Sequence, residues 1–217
     1  MSRRARLREA RVYLVIESTV DSRQSTDSIV AAALRGGVDL VQLRDKDGSD
    51  ASIVEAGLRF RALCDAHDAL FVVNDRPDLA LACGADAVHV GQDDGAIEAV
   101  RGLVGPDVLI GMSTHSPEQV DAALRSDADY FAVGPVHATP TKPGRPAVGL
   151  ELVRYAAAHA GERPFFAIGG IEPDNVAAVA EAGAERVAVV RAIRDAADPR
   201  AVASELRAAL TPEGAHA

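Results

Sequence analysis

Gly84-Ala85-Asp86-Ala87-Val88-His89-Val90-Gly91-Gln92-Asp93-Asp94 contains, in order, a glycine stop, a short apolar run and a polar cluster. Glycine at such a place ends a helix by taking the left-handed conformation. Ala87, Val88 and Val90, with His89 between the valines, then suit a strand buried on both faces. The same order of parts returns at Gly183-Ala184-Glu185, ahead of the run at 186–190 and Arg191. One unit, helix stop then strand then polar end, is thus used at least twice.

Working outward from these two copies, candidate strands fall at 12–16, 38–43, 70–73, 87–90, 108–111, 130–133, 164–168 and 186–190. Helical windows lie near 26–36, 51–66, 77–84, 96–104, 117–126, 149–160, 173–183 and 199–210. Strands alternating with helices imply parallel βαβ units. Pro77, Pro117 and Pro173 fit first helical turns, where the missing N–H costs no bond. Gly36-Gly37, Gly84 and Gly183 fit helix ends. Eight units in 217 residues predict an α/β fold, a single (β/α)₈ TIM barrel with parallel strands. A doubly wound open sheet is the runner-up. The expected division is a basic, frayed lead-in at 1–11, a barrel at 12–210 and a tail at 211–217.

Composition narrows the function classes. A formal net charge of −9 disfavours a broad nucleic-acid or anionic-membrane footprint. No apolar run approaches the length of a membrane span. Arg3, Arg4, Arg6, Arg8 and Arg11 are followed by no long apolar segment, so a secretory signal is not expected and the cytoplasm is the default. Cys64 and Cys83 form no CxxC pair and read as reduced, partly buried thiols. GxGxxG after a strand, GxxxxGK[ST], GxSxG and HExxH are all missing.

The polar clusters gather at the C-terminal ends of the candidate strands, where barrel enzymes build active sites. They are Gln42-Leu43-Arg44-Asp45-Lys46, Asn74-Asp75-Arg76, Gln92-Asp93-Asp94, Ser113-Thr114-His115, the stretch from Thr139 to Arg145, Gly169-Gly170 and Val190-Arg191. Each has a plainer role: Asp75 could cap a helix, Gly169-Gly170 could be a tight turn, and His89 reads as structural. Together they say more. Gly169-Gly170 and the amides after the eighth strand match the usual phosphate site of this fold. Arg44, Lys46, Lys142, Arg145 and Arg191 would bring cationic charge to that mouth. Asp75 and Asp94, on adjacent strands, could share a hard cation such as Mg²⁺, which takes one or two carboxylates and completes its shell with water and phosphates. A diphosphate substrate fits that combination.

The clusters, with Val88-His89-Val90-Gly91, Gly111-Met112, Gly134-Pro135-Val136 and Thr139-Pro140-Thr141-Lys142, resemble the thiamine phosphate synthase family in the same order along nearly the whole chain. The resemblance implies coupling of a pyrimidine methyl diphosphate to a thiazole ethyl phosphate, with Mg²⁺ as cofactor and small phosphorylated molecules as partners. It implies that Gln42, Leu43, Arg44, Asp45, Lys46 and Asn74 surround the pyrimidine substrate, with Asp75 and Asp94 as metal ligands. Ser113 and Lys142 would meet its diphosphate. Thr139, Pro140, Thr141, Gly170, Val190 and Arg191 would hold the thiazole phosphate. Arg44, Lys46, Ser113 and Lys142 carry the catalytic expectation. The family often has Ser at position 191, so the Arg191 side chain has two readings: a phosphate contact, or an outward pair with Asp195. A thiazole tautomerase of the same superfamily and a non-catalytic phosphate-binding barrel stay open, as does assembly into a homo-oligomer.

Overall fold

The computed structural model describes residues 1–20, 22–139 and 146–211. Eight strands, β1 (Val12–Ile16), β2 (Leu40–Leu43), β3 (Leu70–Asn74), β4 (Ala87–Val90), β5 (Leu109–Thr114), β6 (Tyr130–Val133), β7 (Phe165–Ile168) and β8 (Val187–Val189), pair in parallel and in chain order. β8 returns to β1 through Val12↔Val187 and closes the barrel. The helices among the described residues are α1 (Arg3–Glu9), α2 (Thr26–Arg35), α3 (Asp50–Asp65), α4 (Pro77–Ala82), α5 (Ile97–Val104), α6 (Pro117–Arg125), α7 (Gly149–His159), α8 (Val176–Glu181), α9 (Arg191–Arg194) and α10 (Pro199–Ala209). None of them is long and apolar enough to cross a membrane.

Strand alternation divides the core in two. Val12, Leu14, Ile16, Val41, Leu43, Phe71, Val73, Val88 and Val90 point outward into the layer packed by the helices. Tyr13, Val15, Leu40, Leu70, Val72, Leu109, Tyr130 and Phe166 fill the barrel interior. Cys64 and Cys83 are buried free thiols of the outer layer. Burial pushes the Cys64 thiol up to about 12, so it stays protonated and unreactive near neutral pH.

The residues expected to be a frayed lead-in are instead folded. Ser2 caps α1 by accepting the Ala5 N–H, and Leu7 and Ala10 are buried in the interior cluster as a plug at the N-terminal end of the barrel. Apolar burial and ion pairing to Asp86 and Asp129 offset the mutual repulsion of the arginines along this helix. Pro173 also differs from expectation: it precedes α8, whose cap is Asn175, so it sits in the connecting turn. The short α9 lies where the sequence showed no separate helix.

Three carboxylates organise this end of the barrel. Asp39, Asp86 and Asp129 stand just before β2, β4 and β6, and each accepts an amide from the start of the preceding strand, that of Val12, Phe71 and Ile110 respectively. These amides have no free neighbour in the ladder, so a carboxylate meets a need that water cannot reach. Arginines close each group: Arg207 on Asp39, Arg61 and Arg3 on Asp86, Arg101 and Arg4 on Asp129. Arg3 and Arg4 come from α1, which ties the plug to the barrel.

Asp86 is 4% exposed. Burial alone would raise its carboxyl, but bonds from Arg61, the Phe71 amide and Arg3 hold it below its usual 3.8. A depressed carboxyl contributes stability above the ordinary value and loses it as pH falls through the folded value. Asp86→Asn should therefore cost about 3 kcal/mol at pH 7, since Arg61, Arg3 and Arg6 lose the carboxylate they share and Arg61 keeps only the exposed Asp65. Urea unfolding should show that gap narrowing below pH 4, where the wild type also loses the charge. A gap of equal size at both pH values would mean that lost packing, not charge pairing, is the cause.

Candidate functional site

A cavity of about 330 Å³ opens at the C-terminal end of the strands. Its floor is the interior layer: Tyr13, Val15, Gln42, His89 and Ser113 reach it from β1, β2, β4 and β5. Its rim is made by Arg44, Asn74, His115, Thr139, Gly170, Val190 and Arg191. Six different strand ends or the loops after them converge here, a consequence of barrel closure.

The structure sorts the expected residues. Gln42, Arg44, Asn74, Ser113, Thr139, Gly170, Val190 and Arg191 all line the cavity. Leu43 does not: it has the opposite parity to Gln42 and is buried in the helix-facing layer at 1% exposure. Asp45 turns away too, accepting bonds from the Ser18 hydroxyl and the Gly48 amide as a loop brace. Pro140, Thr141, Lys142 and Arg145 lie outside the described residues.

Asp75 and Asp94 meet beside the cavity. Asp75 follows β3 in a left-handed conformation, φ 61°, an uncommon posture for which Asp is among the better-suited residues. Burial raises its carboxyl, and the adjacent Asp94 carboxylate raises it further against the pull of Lys46. Lys46 Nζ stands 3.5 Å from Asp75 Oδ2, and Asp94 Oδ2 accepts the Gly91 amide at 2.7 Å. Two close carboxylates resist carrying both charges unless a cation joins them. Among the described residues no group of three or more His, Cys, Asp or Glu could hold a metal ion.

The opposite wall is built by the turn after β7. Gly169 and Gly170 have φ of 105° and 62°, and a Cβ at Gly170 would come 2.8 Å from that of His137. Glycine is required there twice over. The carbonyls of Ile168, Gly169 and Gly170 are taken by the Val136 amide, the His137 amide and the Asn175 side chain. Acceptors that would repel an anion are thereby occupied. Next to this turn, Val190 precedes the first turn of α9 without a side-chain cap. Arg191 Nε donates to Asp195 Oδ2 at 3.1 Å, so its guanidinium is paired along the helix.

Tyr13, His89, His115 and Asn175 line the cavity, although the sequence assigns none of them a ligand role. For Tyr13 a signal existed: it shares the inward parity of Val15, which pairs with Gln42. His115 is held by its Nδ1 contact to the Gly134 carbonyl, 2.5 Å away, which sequence spacing alone does not reveal.

Comparison with known proteins agrees with this geometry. A family model described as thiamine monophosphate synthase matches residues 12–193. The thiamine-phosphate synthase of Saccharopolyspora erythraea is 51% identical over 215 residues, covering 95% of this chain and 96% of that protein. That of Acidothermus cellulolyticus is 52% identical over 211 residues, covering 95% and 98%. In three dimensions, thiamine phosphate pyrophosphorylase from Pyrococcus furiosus superposes with a TM-score of 0.84 at 33% identity, covering 95% of this chain and 97% of that one. The chain belongs to the thiamine monophosphate synthase family.

Proposed function

We propose that this protein joins 4-amino-2-methyl-5-pyrimidinylmethyl diphosphate to 4-methyl-5-thiazolylethyl phosphate, releasing thiamine phosphate and diphosphate. The observation that carries the reading is one cavity flanked by a carboxylate pair on one side and a double-glycine turn on the other. Such a mouth suits two phosphorylated ligands held against each other. The relatives' names point to the same product.

In the proposed reaction the bond between the pyrimidine methylene and the diphosphate oxygen breaks, and its electron pair leaves with the diphosphate. The thiazole nitrogen then donates its lone pair to the methylene cation. No side chain needs to act as nucleophile; the work is to stabilise the departing charge and align the partners. Arg44, Lys46, Ser113 and Lys142 are assigned to the diphosphate, with Gln42 and Asn74 on the pyrimidine ring. Thr139, Thr141, Gly170 and the amides at Val190 and Arg191 are assigned to the thiazole phosphate. Asp75 and Asp94 would hold Mg²⁺, which when bound neutralises the charge accumulating on the diphosphate. The buried floor keeps water away from the cation, which would otherwise be trapped as an alcohol.

The test is diphosphate release with both substrates and Mg²⁺, repeated with chelator. Release that needs both substrates and the cation supports the proposal. Turnover of thiazole phosphate alone, without diphosphate release, would assign the chain to isomerisation instead. Asp75→Asn and Asp94→Asn should each weaken Mg²⁺ binding by calorimetry about tenfold or more and cut turnover with it. Asn tolerates the left-handed backbone at position 75, so a folding defect is not expected. Unchanged binding in both variants would reduce the pair to a loop brace.

The ion pair with Asp195 implies that Arg191 contributes its backbone more than its charge. Arg191→Ser should retain most coupling activity and raise KM for the thiazole phosphate less than about tenfold, a shift of ~1.4 kcal/mol. A far larger rise confined to that substrate would make the guanidinium a direct phosphate ligand.

A further inference from the structure

A chain of hydrogen bonds crosses the barrel under the cavity. Gln42 Nε2 donates to the Tyr13 hydroxyl. Tyr13 and Tyr130 hydroxyl oxygens are 3.2 Å apart, Tyr130 is 3.3 Å from His89 Nδ1, and His89 Nε2 is 3.0 Å from Ser113 Oγ. Five side chains from β1, β2, β4, β5 and β6 take part, each no more than 9% exposed. Tyr13, Gln42, His89 and Ser113 border the cavity, while Tyr130 lies beneath it.

The direction of the chain is assigned from its first member. An amide NH₂ can only donate, so the Tyr13 oxygen accepts; either tyrosine can donate across the gap between them, and we assign the Tyr13 hydrogen to Tyr130. Tyr130 accepts in turn and donates to His89 Nδ1. An Nδ1 that accepts leaves the ring proton on Nε2, which donates to Ser113 Oγ. The serine hydrogen is then directed to the cavity. Burial pushes both phenols well above their ordinary range, so each keeps the one proton this order needs.

The sequence makes room for the arrangement. A Cβ at Gly111 would strike the Tyr130 ring and stand 2.5 Å from His89 Nδ1. Phe166 packs edge-on against both tyrosines, at 5.2 and 5.7 Å between centroids, and fixes the rings independently of their hydroxyls. Gln92 Nε2 donates to the Ser113 carbonyl and steadies the backbone at the far end.

We propose that Tyr13 and Tyr130 are positioning residues that, through His89, orient the Ser113 hydroxyl as a donor toward the diphosphate of the bound substrate. The inference rests on the reading of Ser113 in the preceding section. It adds that the pyrimidine side, through Gln42, and the leaving-group side, through Ser113, are joined by one polarised chain. A pyrimidine that holds Gln42 in place thereby holds the donor for its own leaving group.

Tyr130→Phe keeps the ring packing and removes the link. It should lower kcat/KM for the pyrimidine diphosphate about tenfold and change KM for the thiazole phosphate less than about twofold. In a Ser113→Ala background the same substitution should cost nothing further, because its effect passes through that hydroxyl. Losses that add, or that fall equally on both substrates, would overturn the proposal. If Ser113→Ala is impaired and Tyr130→Phe is silent, the relay alone fails; if Ser113→Ala is silent, the assignment of Ser113 fails and the relay with it. Should Tyr130→Phe not fold, nitrogen-15 NMR of His89 in the unaltered protein decides: the Nε2–H tautomer is expected, and the Nδ1–H tautomer would overturn it.

Discussion

Closing eight parallel strands into a ring puts half of every strand's side chains into one enclosed volume, which Leu7 and Ala10 plug from the N-terminal end. That interior must be filled and its polar groups must satisfy one another, since water reaches it only from the open end. The arrangement along the barrel follows. Leu7, Ala10, Leu40, Leu70 and Leu109 are apolar members of the interior cluster, joined there by Tyr13, Tyr130 and Phe166. Gln42, His89 and Ser113 border the cavity above. The bonded floor of the cavity results from confinement as much as from chemistry.

The two ends of the barrel separate stability from function. At the N-terminal end, Asp39, Asp86 and Asp129 tie strand amides to arginines from α1, α3, α5 and α10. At the C-terminal end, the strands finish in groups that are polar, partly exposed and in the case of Asp75 and Asp94 electrostatically opposed. An acidic pair of this kind is unfavourable for the empty protein and favourable once a cation is shared. The net charge of −9 says nothing against a cationic mouth, because Arg44 and Arg191 line a cavity far smaller than the surface that carries the acid.

Several features were legible in the chain because they depend on near neighbours. Gly84 and Gly183 end helices at φ of 63° and 102°, and Pro77 and Pro117 open them. The polar strand ends fell where a parallel barrel collects them. Features set by distant partners were not legible. The Arg-rich segment before β1 became α1 because Asp86 and Asp129, far along the chain, offer it partners. Leu43 stands in a run of site residues yet faces the helices, since one step along a strand reverses the side.

The sequence by itself determined the eight-unit repeat, the places where helices stop and the residue types available at the mouth, because period, glycine and proline act over a few residues. Tertiary structure decided which of those residues meet. Parallel pairing of neighbouring strands brought Asp75 to Asp94, and the closed ring set Val190 and Gly170 on one cavity. It also aligned Gln42, Tyr13, Tyr130, His89 and Ser113 from five strands into one chain of bonds. Such contacts span up to 117 residues of chain, and their register is set by the stagger between neighbouring strands, a property that belongs to the closed ring and to no single segment.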